Sequence, residues 1–280
     1  MVSAADRVKN PARTSVWLDQ RAPSRTRKQD QHTGLDRERI IATSVRLLDA
    51  EGLGKFSMRR LAAELGVTAM SLYWYVDSKD DLLELALDSV YSEVRSPREG
   101  AHWHDRLREL ATAYRELLVR HVWVSPLAGH FLNIGPHAML VSYAIQDVIR
   151  ATGLPKDRQA GALAAVFQFV YGFGTIEGHF AQRCADAGMS QEEYYRQATG
   201  AVRAQPQYGR MIERAEELMD ARGGDTLEEM RDRDFTYALD VMIAGIEAMR
   251  GRDQDHDQDR DRDQDRDRDH DRDRDHDRGR

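Results

Sequence analysis

The chain has one cysteine, Cys184, in 280 residues, so no intramolecular disulfide can form, and a reducing compartment fits that usage. No apolar run approaches the roughly 20 residues that span a bilayer. The N-terminus has no apolar core of the secretory type. A cytoplasmic protein without membrane association is the simplest expectation. Catalytic signatures are missing too: there is no P-loop, no HExxH, no paired-cysteine metal site and no serine elbow. Gly172 to Gly178 reads GFGTIEG, but inside a helical pattern with no strand before it. His102-Trp103-His104 does not have metal-ligand spacing on one helix face. Neither an enzyme nor a bound metal or cofactor is expected.

Hydrophobic residues make up only 41% and charged residues 32%, an imbalance concentrated in one tail. The formal net charge of −7 argues at first against a nucleic-acid partner. A DNA footprint is local, however, and the global sum does not exclude one. The length is enough for a well-buried core and suggests two domains.

What is present is helical periodicity. Asp36 to Glu51 carries Ile41, Val45 and Leu48 on one face, with Ile40 and Leu47 flanking, and Gly52 ends it. Ser57 to Val76, SMRRLAAELGVTAMSLYWYV, reads as two short helices. Ser57 caps the first, Leu61, Ala62 and Leu65 share its face, Gly66 supplies a left-handed turn, Val67 is a plug, and Thr68 caps the second. Asp77 or Ser78 caps a fourth helix with Leu82, Leu83, Leu85, Ala86, Val90 and Val94 on its apolar face. The short pair is the sequence form of a helix-turn-helix, whose second helix enters the major groove of DNA.

Further helices are expected at His102 to His121, Gly135 to Arg150, Lys156 to Ala187 and Asp225 to Arg250. Gly161, Gly172, Gly174 and Gly178 each cost the third of these about 1 kcal/mol relative to Ala. Close approach to a partner helix or a ligand would explain them. Gly200, Pro206 and Gly209 are expected to divide the stretch from Ser190 to Gly224 into short pieces. The last helix has a heptad-like seam of Phe235, Leu239, Met242, Ile246 and Met249, suited to internal core or to a homodimer interface shared with the Phe167–Ile176 helix.

Both ends read differently. Residues 1–34 form a disordered basic arm, a solvated leader or a strap along DNA phosphates. Residues 251–280 form a tail with Asp at every odd position from Asp253 to Asp277. Disorder is expected there; weak metal binding through His256, His270 and His276 and an electrostatic interplay with the basic arm are the minor alternatives.

Residues 35–95 resemble the DNA-binding domain of the TetR (tetracycline-repressor-like) family. The resemblance rests on GLGKFSMRRLAAELGVTAMSLYWYVDSKDDLLELALD, above all on LYWYV-x-x-K-x-x-LL from Leu72 to Leu83. The run WHDRLRELATAYRELLVRH is similar to the opening of that family's regulatory domain. The expected fold is all-α, an N-terminal three- or four-helix domain (35–95) followed by a larger helical ligand-binding and dimerisation domain (96–250). The resemblance implies DNA contacts from Ser57, Met58, Arg59, Thr68, Ala69, Met70, Ser71, Tyr73, Trp74, Tyr75 and Lys79. Arg59 would read guanine or hold a phosphate, Tyr73 and Lys79 would anchor phosphates, and Trp74 would pack at the domain's base or touch the DNA backbone. Tetracycline-responsive members carry glutamine and proline where this chain has Ala69 and Met70, so a different operator is expected, read through apolar contacts and DNA shape.

For an effector, the candidates are Tyr114, His130, Asn133, His137, Gln146, Gln168 and Tyr171. His130 falls roughly where the tetracycline-responsive members bind the drug's magnesium, but Leu110 replaces a polar anchor, so a flat, mostly apolar or aromatic effector other than tetracycline is expected. The resemblance implies a homodimer that binds a palindromic double-stranded operator as a repressor and is released by a small molecule. The alternative is a DNA-binding activator or global regulator without an effector.

Overall fold

A computed structural model describes residues 15–18, 35–209, 221 and 223–251, and is all-α among them. The arm expected over 1–14 and 19–34 and the tail expected over 252–280 lie outside the described residues.

Helix α1 (Arg37–Glu51) starts where the Asp36 carboxylate accepts the Arg39 amide at 2.7 Å and ends at Gly52 with φ 78°. Its core face carries Ile40, Thr43, Ser44, Leu47 and Leu48, so the helix is rotated from the expected Ile41–Val45–Leu48 face. A buried serine is tolerated because its hydroxyl donates to the Ile40 carbonyl at 2.8 Å.

Helix α2 (Met58–Leu65) and helix α3 (Ala69–Leu72) form the tight pair. Ser57 Oγ accepts the Arg60 amide at 3.2 Å, Gly66 turns the chain at φ 70°, and Thr68 Oγ1 accepts the Ser71 amide at 3.2 Å. Val67 is half-buried rather than a full plug, and Leu72 and Val76 are buried in the core. Ser78, not Asp77, caps helix α4 (Lys79–Tyr91), accepting the Asp81 amide at 3.1 Å.

Helix α4 is the central strut. It packs on α1 and also on α6 (Val124–Ala128) and α7 (Pro136–Ala151) of the larger half. Burial surrounds it: Leu82, Leu83, Leu85, Ala86, Leu87 and Val90 are joined by Asp81, Glu84 and Asp88. Asp88 accepts the Ala138 amide at 2.9 Å and faces His137 Nδ1 at 3.0 Å, pinning the N-terminus of α7. Gly135 is required there, since a Cβ would lie 2.2 Å from Asp88 Oδ1.

Unexpectedly, residues 15–18 of the predicted arm form a turn on this strut. Ser15 Oγ donates to Glu84 Oε1 at 2.5 Å, and the Val16 amide donates to Glu84 Oε2 at 2.8 Å. Val16 and Trp17 supply apolar contact with the core. Two hydrogen bonds to one buried carboxylate are not visible to a composition argument.

Helix α5 (Trp103–Arg120) packs along the length of helix α8 (Lys156–Asp186). The approach is close because α8 has glycine where they meet. A Cβ on Gly178 would lie 2.9 Å from the Leu118 carbonyl, and one on Gly174 would lie 3.1 Å from the Leu118 side chain. Gly161 and Gly172 meet nothing within 4 Å, so close packing in the protomer explains only half of the glycines. Arg115 on α5 is buried, pairs with Glu177 at 2.6 Å and Asp232 at 2.7 Å, and lies 4.8 Å from the Phe235 ring centroid. Burial disfavours its charge, but the two carboxylates outweigh that and raise its pKa.

Helix α9 (Gln191–Arg203) runs through Gly200 without a break, and none of its residues is buried. The final helix, α10 (residues 227–251), buries Phe235, Leu239, Ile243 and Ile246, while Met249 of the expected seam is exposed. Contrary to the sequence reading, α8 is by length and composition long and apolar enough to cross a membrane. Interspersed Gly, Ala and Gln hide that from a search for uninterrupted apolar runs. Ile176 on this helix is 73% exposed, so the helix has an apolar side that the protomer does not cover.

Candidate DNA-binding surface and effector cleft

The α2–α3 pair offers a defined outer face. Met70 and Trp74 are each 68% exposed, Tyr73 is exposed beside them, and Ala69 and Ser71 are half-buried. Arg59 is exposed on the first turn of α2, next to the exposed cap Ser57. Arg60 is committed elsewhere, to Glu51 at 2.7 Å and Glu64 at 2.9 Å. Thr68 uses its hydroxyl on the Ser71 amide and lies 2.9 Å from the Ser71 hydroxyl.

The expectations for four residues change. Met58 is 8% exposed and packs in the core, so its side chain is withdrawn from any DNA contact. Trp74 does not pack at the domain's base; it stands in solvent. Tyr75 donates its hydroxyl to the Leu35 carbonyl at 2.9 Å, and Lys79 Nζ donates to the Phe56 carbonyl at 2.8 Å while lying 5.6 Å from the Phe56 ring centroid. Both thus tie the recognition unit to its neighbours. An ammonium with three donors keeps two for phosphate.

In the larger half, α5, α7 and α8 bound a narrow cleft of about 40 Å³, lined by apolar side chains and Tyr114. Tyr114 and Phe167 stack at 5.4 Å between centroids, and Phe167 and Tyr171 at 6.1 Å, with interplanar angles of 25° and 16°. The Tyr114 hydroxyl is buried and has no hydrogen bond of good geometry. Burial first, and then the neighbouring Tyr91 and Tyr171, push its pKa far above the ordinary tyrosine range, so it stays a protonated donor. Burial likewise pushes Tyr91 up to about 12.

Of the effector candidates, Tyr114 lies in this cleft, and Tyr171 stacks on its lining residue Phe167 while its hydroxyl donates to the Ser125 carbonyl at 2.7 Å. His137 lines a second cleft beside it. The others do not converge. His130 is exposed, with its ring against Phe131. Gln146 is exposed and donates to Ser142 Oγ at 3.1 Å, and Gln168 faces outward from α8. Asn133 holds its own turn at φ 52°, its amide donating to the Ala128 carbonyl at 2.6 Å. Missed by polar-residue searching were the lining residues Leu107, Leu110, Ile145, Leu163 and Phe167. The available signal was two large apolar faces on neighbouring helices with more aromatic surface than a two-helix contact needs.

A helix-turn-helix domain joined by one buried strut to a helical domain with an apolar cleft defines a ligand-responsive DNA-binding transcription regulator. Residues 40–86 match the family described as "Bacterial regulatory proteins, tetR family", and residues 96–250 match "Tetracyclin repressor-like, C-terminal domain". The chain belongs to the TetR family. It is 37% identical over 164 residues to an HTH-type transcriptional regulator of Saccharopolyspora erythraea, covering 58% of this chain and 67% of that one. It is 32% identical over 183 residues to the HTH-type transcriptional repressor DrrR1 of Streptomyces coeruleorubidus, covering 65% and 66%. Among solved structures, ActR of Streptomyces coelicolor in complex with actinorhodin shares 28% identity, with a TM-score of 0.60 over 78% of this chain and 99% of that one.

Proposed function

We propose that the protein is a homodimeric repressor that binds a palindromic operator and is released by a planar, mostly apolar aromatic effector held between α5, α7 and α8. The carrying observation is the stacked Tyr114–Phe167–Tyr171 run, beside a buried Tyr114 hydroxyl donor whose one neighbour is the Tyr91 hydroxyl. A flat ring system satisfies both at once, through offset stacking and one hydrogen bond. That ActR binds actinorhodin and that DrrR1 is a repressor support the reading without identifying this chain's ligand.

Dimerisation follows from the uncovered apolar sides of α8 and α10, which expose Ile176, Tyr237 and Val241. Two copies would present two recognition helices to major grooves about 34–36 Å apart, hence the palindrome. Effector in the cleft would favour an arrangement of α4 with the wrong spacing, releasing DNA by population shift. Regulation of this kind is non-enzymatic and belongs in the cytoplasm. Tyr114→Phe keeps the stacking and removes the donor. With anthracene-2-carboxylate as probe, its affinity is expected to fall about fivefold; unchanged affinity would sink the assignment of Tyr114 as the ligand donor.

A further inference from the structure

The aromatic cleft has a polar neighbour. A second cleft of about 200 Å³ opens between the end of α4 and the start of α7, with Tyr91, Ser92, Arg95 and Ser96 on one side and His137 on the other. Leu110 lines both clefts, so they adjoin at that side chain. Arg95 is exposed and makes no ion pair with any described residue. The His137 ring uses Nδ1 on Asp88 and has no partner for Nε2 among the described residues.

Resting on the aromatic-effector reading, we propose that this polar cleft receives an anionic group of the same molecule, so that the effector class is a planar aromatic acid. The ring system lies against Tyr114 and Phe167, and the carboxylate crosses the Leu110 boundary to Arg95 and His137. Arg95 supplies a permanent charge and a planar fork that matches a carboxylate. His137 supplies a nitrogen already oriented by Asp88, as a ring held at one nitrogen presents the other in a fixed direction. The position carries a regulatory consequence. Both walls of the polar cleft belong to the two elements that Asp88 joins, so a ligand engaging His137 acts on the contact that fixes α7 to the α4 strut. A purely apolar ligand confined to the first cleft touches α5, α7 and α8 and leaves that contact alone.

The test is a calorimetric titration of the full-length protein with two matched probes, anthracene-2-carboxylate and its neutral carboxamide. The carboxylate is expected to bind at least tenfold tighter, with the advantage shrinking as ionic strength rises. Arg95→Gln should abolish the preference while leaving the carboxamide affinity within twofold. Arg95 is exposed, so the variant is expected to keep the wild-type melting temperature, and Arg95→Glu should make the carboxylate the weaker ligand. Equal binding of both probes by the wild type, or a preference that survives Arg95→Gln, overturns this proposal and leaves the aromatic cleft intact. Binding of neither probe overturns the aromatic-effector reading and this one with it.

Discussion

Arg59 and Arg60 are adjacent on α2 and differ in what they are free to do. Arg60 is spent on Glu51 and Glu64, whose hydrogen bonds raise its pKa, while Arg59 is exposed beside the helix cap. Arg59→Ala is expected to weaken operator binding about tenfold at fixed salt with no change in melting temperature. Arg60→Ala should leave affinity within about twofold. Fluorescence anisotropy with a labelled operator separates the two outcomes. His121 offers a second residue-scale test. It is buried at the end of α5, with Nδ1 2.7 Å from Asp49 of α1 and Nε2 3.1 Å from Glu93 beyond α4. Burial lowers its pKa, but the two carboxylates outweigh burial and the net shift is upward. A pKa raised in the folded state gives stability that is fully present below the unfolded value of about 6.5 and lost as pH rises through the folded value. The melting temperature is therefore expected to fall as pH climbs above about 6.5, and His121→Gln should flatten that slope. An unchanged slope would contradict the ionic link. Single residues were legible in sequence only where the cause was local. Ser57, Gly66 and Thr68 act within four positions of themselves and were read correctly. Met58, His130, Gln146 and Gln168 depend on which way a helix is turned against its neighbours, and that is set by tertiary packing.

The helices themselves were legible, because their caps and apolar periods are short-range signals. Rotation was less so: α1 turns Thr43 and Ser44 inward, where the Ser44 hydroxyl bonds back to the Ile40 carbonyl and Thr43 Oγ1 accepts from the Arg46 guanidinium. The glycines of α8 divide by neighbour. Gly178→Ala forces a Cβ against the backbone carbonyl of Leu118, where nothing flexible can yield, and is expected to cost about 1–3 kcal/mol. Gly161→Ala meets open space in the protomer and should be tolerated in a thermal melt. Equal destabilisation by both would contradict the α5–α8 approach. Helix α4 carries its own lesson. Ala86 at its middle is fully buried, and a change there damages the core before it reports on coupling. Asp88 is the better probe, because its carboxylate accepts the Ala138 amide and faces the His137 ring at the α7 N-terminus. Asp88→Asn keeps the shape and drops the charge. It is expected to raise the effector concentration needed for half-release of DNA severalfold.

At the scale of the molecule, a net charge of −7 coexists with DNA binding because charge is distributed unevenly along the chain. In the proposed dimer a second copy would cover the apolar side of α8, since Ile176 and Tyr237 lie exposed on the two helices of that interface. Ile176→Glu with Tyr237→Glu is expected to yield a monomer in sedimentation velocity that has lost tight operator binding, whereas a persisting dimer would move the interface elsewhere. The central claim is that one molecule couples ligand in the helical domain to release of DNA. It is tested most directly by selecting an operator from randomised duplexes with the full-length protein, then following its anisotropy as anthracene-2-carboxylate is added. Anisotropy should fall to that of free DNA over the concentration range in which the ligand raises the protein's melting temperature. Ligand stabilisation of the protein with no loss of bound DNA would contradict the coupling.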